Sequence, residues 1–157
     1  MVEIIRLTWV EVRMACILGI ERRIQSRQQN RNTDKAAARN TDNWAIDIDG
    51  ALAEMALAKY LGVFFNPTIN TFKEPDVKRY QVRSTSYANG HLIIRPDDKP
   101  RELPDQEFVL GITTFMPDIH LVGMLTAGEA AVDQYWRDDS WWVPNGHLGP
   151  LPERESR

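Results

Sequence analysis

Large apolar side chains at Val10, Met14, Ile17, Leu18 and Ile24 recur at roughly helical intervals behind the capping-box spacing of Thr8 and Glu11. A first helix over residues 8–26 is the expectation. The stretch "SRQQNRNTDKAAARNTDN" that follows has almost no large apolar residue, and it carries Arg27, Arg31, Lys35 and Arg39. Residues 27–42 therefore read as a mobile basic loop. Ala51, Leu52, Met55, Ala56 and Tyr60 then share a helical face that stops at Gly62, with Asp47 and Asp49 read as helix-start residues. This predicts a second helix over 49–61.

Beyond Gly62 the period changes to alternation. Strands are expected near 69–73, 80–86, 90–95, 107–113 and 119–125, separated by the turn-forming stretches "YANG", "RPDDKPRELPD" and "FMPD" in a meander-like order. A short helix from Thr126 to Arg137, the aromatic run "SWWVP" and a frayed tail over 150–157 complete the chain. Two helices followed by strands and a late helix predict an α/β (α+β) fold with the second helix packed on a sheet.

The 157 residues suit a single domain over 1–157, and 43% hydrophobic with 26% charged residues is ordinary globular composition. A formal charge of −3 argues against coating nucleic acid by bulk electrostatics, so any DNA contact is expected to be local. Cys16 is the single cysteine, which excludes an intrachain disulfide and suits a reducing, cytoplasmic setting. Glu3, Arg6, Glu11 and Arg13 interrupt the N-terminal apolar run, so neither a signal-peptide core nor a membrane span is expected.

The residues most suggestive of chemistry are Glu54 on the second helix, Asp76 before a strand, and Gln81 and Arg83 two apart on that strand. Positions i and i+2 share a strand face, so Gln81 and Arg83 look one way and Val82 the other. Asp76, the Gln81 amide oxygen, the Val82 carbonyl and Glu54 are hard oxygen donors of the kind Mg²⁺ or Mn²⁺ takes, and Arg83 suits a phosphate. Bringing Asp76 to Gln81 requires a very short hairpin at Lys78-Arg79.

In these residues the chain resembles the PD-(D/E)xK nuclease superfamily. In "GALAEMALAKYLG", "NTFKEPDV", "YQVRST", "LIIRPDD" and "WWVP" it is similar to a group of small bacteriophage proteins. The resemblance implies a restriction-endonuclease-like central mixed sheet flanked by helices and a Mg²⁺-dependent DNA nuclease, or a catalytically degenerate derivative, in the host cytoplasm. Glu54 then matches the helix acid, Asp76 the first metal aspartate, Gln81 the second acidic position and Arg83 the lysine. Gln81 brings no charge to a metal, and the guanidinium of Arg83 cannot serve as a base. The basic residues Arg27, Arg31, Lys35 and Arg39 are expected to add phosphate contacts.

Each residue also has an ordinary structural reading. Glu54 near Lys59 fits a solvated helix face, Asp76 after Pro75 a turn starter, and Gln81 with Arg83 the wet side of a strand. The rival function is a non-catalytic DNA- or protein-binding assembly module with a phage or host partner; a virion component is a third. The tryptophans of "YWRDDSWWVP" read as packing residues, with Trp141 or Trp142 open to base stacking.

Overall fold

The computed structural model describes residues 1–29, 42–67 and 75–154. Two long helices open the fold: α1 (Trp9–Gln28), preceded by a short strand β1 (Glu3–Arg6), and α2 (Asn43–Leu61). Thr8 and Glu11 form the expected capping box of α1. Helix α2 begins six residues earlier than expected, because Asp42 supplies the N-cap by accepting from the Trp44 N–H. Asp47 and Asp49 are thus interior helix residues. Gly62 ends α2 in the left-handed conformation (φ 71°).

The strands are β2 (Tyr80–Thr85), β3 (His91–Ile94), β4 (Glu107–Ile112), β5 (Asp118–Thr126), β6 (Trp136–Arg137) and β7 (Ser140–Pro144). They form a mixed four-stranded sheet in the order β1-β5-β4-β2 and a three-stranded sheet in the order β3-β7-β6. The meander expectation fails at β2 and β4, which pair in parallel. A parallel pair needs a crossover, and β3 lies within it, leaving the first sheet to pair antiparallel with β7. The expected strand at 69–73 lies outside the described residues.

The expected helix from Thr126 to Arg137 is a single turn, α3 (Ala127–Ala130), closed by a second Thr–Glu capping box at Thr126 and Glu129. It stops there because Val132 is extended and the chain turns to place Trp136 and Arg137 against β7. The tail is docked as far as Arg154: Pro152 is buried, its carbonyl accepts from the Tyr60 hydroxyl at 3.1 Å, and the Arg154 guanidinium lies over the Tyr60 ring.

Alternation along β4 divides the interior. Val109 joins Val82, Ile119, Leu121 and the buried residues of α1 and α2 in one apolar cluster. Phe108 and Leu110, pointing the other way, join Leu92, Ile94, Ala127, Ala130 and Val143 in a second. The mixed sheet is therefore covered by the helix pair on one face and by the small sheet with α3 on the other. The fold is mixed α+β, as expected. No helix among the described residues is long and apolar enough to cross a membrane.

Candidate functional site

Small residues bring α1 and α2 together. A Cβ on Gly19 would lie 2.6 Å from the Ile48 Cα, and Ala51, Ala53, Ala56 and Ala58 are all buried. One turn beyond Gly19, Arg22 therefore reaches Glu54, which is only 6% exposed. The guanidinium donates to both carboxylate oxygens, Nη1 to Oε1 at 2.8 Å and Nη2 to Oε2 at 2.7 Å. Beside it, Arg23 donates from Nε to Asp47 Oδ2 at 2.6 Å.

The hairpin expected at Lys78-Arg79 is present. The Val77 and Tyr80 backbones pair across it, Lys78 takes a positive φ of 53°, and the Asp76 N–H donates to the Tyr80 carbonyl at 3.0 Å. Asp76 then curls back along β2, where its Oδ2 accepts the Val82 N–H at 2.7 Å. Strand β2 is an outermost strand of its sheet. A residue's N–H and C=O leave a strand on the same side, so the Val82 carbonyl leaves the same outer edge.

On the β2 face opposite Val82, Arg83 donates from Nη2 to Asp98 Oδ1 at 2.5 Å, and its guanidinium lies 5.0 Å from the Phe108 ring centroid. Asp98 is fixed in turn by accepting the Arg95 N–H at 2.8 Å. The Nε of Arg83 is buried and has no acceptor among the described residues.

These groups feel one another. Burial, reinforced by the charge of Asp76, pushes Glu54 up to about 7, while Arg22 pulls the other way. Burial also raises Asp76, with the Val82 N–H, Arg83 and Arg22 opposing and Asp98 adding to the rise. Three carboxylates, Glu54, Asp76 and Asp98, thus face two guanidiniums, Arg22 and Arg83. Among the described residues, the hydrogen-bond donor to the Asp76 carboxylate is a main-chain amide.

A cleft of about 850 Å³ opens beside this cluster, between the start of α2 and the two sheets. Arg83 and Arg95, the hydroxyls of Ser84, Thr85 and Ser86, and the Trp142 ring line it, with Asp49, Asp138 and Asp139 among the other walls. Burial raises the Asp49 carboxyl, against a hydrogen bond from Thr113.

Asp76 interacts with Glu54 and Arg22 and holds the Val82 N–H, while Arg83 stands on the opposite face of β2 with Asp98; Glu54 is a buried, paired carboxylate rather than part of a solvated face. Gln81 is partly buried on the Arg83 face of β2 and does not line the cleft. Arg27 is exposed in the last turn of α1, while Arg31, Lys35 and Arg39 lie outside the described residues. Arg22 and Asp98 were not anticipated. Arg22 left a faint signal, as a cation beside the small-residue face of α1; Asp98 looked like any turn acid.

A divalent ion does not fit the donors as they stand. Both oxygens of Glu54 are taken by Arg22, and Oδ2 of Asp76 holds an amide. Among the described residues no group of three or more His, Cys, Asp or Glu side chains is disposed to hold a metal. Comparisons of the chain with protein-family models, curated proteins and solved structures found no match.

Proposed function

We propose that the protein binds a phosphodiester segment of DNA in the cleft beside β2, as a catalytically degenerate relative of the PD-(D/E)xK nucleases. The observation that carries this reading is Arg83. Its guanidinium stands at the cleft wall, 5.0 Å from the Phe108 ring centroid and anchored by Asp98, with a buried Nε that lacks an acceptor among the described residues. A buried donor left unsatisfied costs about 1–3 kcal/mol, and a phosphate oxygen relieves that cost. Neighbouring hydroxyls supply further donors, and Trp142 offers an aromatic surface for a base. The degenerate part rests on the acids. Glu54 is sealed by Arg22, and Arg83 stands where a proton-accepting lysine is expected, so binding survives the loss of hydrolysis.

The test is fluorescence anisotropy of labelled single- and double-stranded DNA oligonucleotides, with cleavage assays in Mg²⁺ and Mn²⁺ alongside. Arg83→Met, similar in volume, is expected to weaken binding about tenfold or more, the loss of one charge-assisted phosphate contact. Wild-type protein that binds no oligonucleotide, or an Arg83→Met variant that binds as well as wild type, overturns the binding reading. Metal-dependent cleavage that disappears in Asp76→Asn overturns the degenerate part and restores an active nuclease.

A further inference from the structure

Helix α1 leaves a row of large apolar side chains facing outward. Val12, Ala15, Leu18, Gly19, Arg23 and Ser26 are buried, whereas Val10, Met14 and Ile17 are 60%, 55% and 61% exposed, and Ile20 and Ile24 each 38%. Positions 10, 14, 17, 20 and 24 advance by three or four, so these five residues form one apolar stripe, about 120° wide, along the helix. An apolar seam of this extent amounts to several hundred Å², the size at which exposed apolar surface marks an interaction site.

Charge says what covers it. Arg13 and Glu21 lie within the same helical arc, are both exposed, and make no ion pair among the described residues. They stand four residues before and four after Ile17. A two-fold axis passing Ile17 therefore sets Ile17 on its own copy, Met14 on Ile20 of the other copy, Val10 on Ile24, and Arg13 on Glu21. Every apolar seam residue meets an apolar one, and each charge meets its opposite twice over. A parallel pairing would instead set Arg13 on Arg13 and Glu21 on Glu21, and antiparallel helices also place their dipoles head to tail. We propose that two copies of this chain associate through α1, packed antiparallel about a two-fold axis at Ile17. This is an isologous contact, in which one patch is its own complement. It is independent of the cleft, because the Arg22 and Arg23 face of α1 stays against α2.

Sedimentation equilibrium measures it directly. Wild-type protein is expected at twice the 18.1 kDa chain mass at micromolar concentration. Ile17→Asp, at an exposed position, is expected to give a monomer with an unchanged far-UV circular dichroism spectrum. Arg13→Glu and Glu21→Arg are each expected to weaken the dimer about tenfold or more, since each places like charges together at two symmetry-related points. The double reversal Arg13→Glu/Glu21→Arg is expected to restore it. A wild-type chain that stays monomeric at about 100 µM, between the millimolar and micromolar affinity scales, overturns the proposal, whether it is inert or captured by anionic vesicles. A dimer that survives Ile17→Asp, or a double reversal no better than its parents, overturns it equally.

Discussion

Removing Arg22 is expected to destabilise the protein by an amount that depends on pH. Glu54 is 8% exposed at its side chain and its ion pair with Arg22 is 14% exposed on the arginine side, so both partners lie largely out of water. Stranding one member of a buried pair costs about 3–5 kcal/mol. A carboxylate can escape that cost by taking a proton. In the wild type burial already pushes Glu54 up to about 7, against 4.5 for the ordinary group. A raised carboxyl contributes its stabilising proton fully below pH 4.5 and loses it as pH rises through 7. At about 1.4 kcal/mol per unit, that window removes roughly 3 kcal/mol of stability. Arg22→Met takes away the partner that lowers Glu54, so its folded value rises further. At pH 8.5 the variant is expected to lose about 3 kcal/mol or more relative to wild type. At pH 5.5, where Glu54 is mostly neutral in both proteins, the loss falls to about 1 kcal/mol, that of one hydrogen bond. Arg22→Met/Glu54→Met is expected to recover most of the loss and much of the pH dependence, since an apolar pair of similar volume replaces a buried ion pair at little cost. Urea unfolding followed by circular dichroism at the two pH values measures all of this. Equal destabilisation of Arg22→Met at both pH values, or a double variant as weak as the single, would refute the reasoning.

Asp76→Asn removes a negative charge that raises Glu54, so the Glu54 midpoint in a carbon-detected NMR titration is expected to move down; an unmoved midpoint separates the two carboxylates electrostatically. Gly19→Ala places a Cβ 2.6 Å from the Ile48 Cα and 2.7 Å from its nitrogen, both backbone atoms that cannot rotate away. It is expected to cost about 1–3 kcal/mol, despite the better helix propensity of alanine, and calorimetry showing an unchanged or raised Tm would contradict the close helix contact.

Local signals carried much of the fold. The Thr8–Glu11 capping box, the Gly62 stop, the turn at Lys78-Arg79 and the alternation of "YQVRST", "HLII" and "EFVLGI" are properties of neighbouring residues, and each element formed where they stood. The placement of some candidate residues was legible for a related reason. Asp76, Val82 and Arg83 lie within a few residues of one turn, so the hairpin that joins them is local, and Glu54 lies on a helix the apolar pattern already marked.

Tertiary contacts decided the rest. The parallel pairing of β2 with β4 joins residues about 27 apart (Tyr80 with Glu107), and the departure of β3 to a second sheet depends on β7, far along the chain. Nothing local in "HLII" distinguishes one sheet from another. The sequence marked α1 as amphipathic but not which face is inward: close approach to α2 requires Gly19 and Ala15, and that contact turns the larger Val10, Met14 and Ile17 outward. The state of the site was hidden for the same reason. Arg22 meets Glu54 across 32 residues and Arg83 meets Asp98 across 15. A carboxylate's charge, proton and freedom to bind an ion depend on such distant partners, which only the folded chain brings within hydrogen-bond reach.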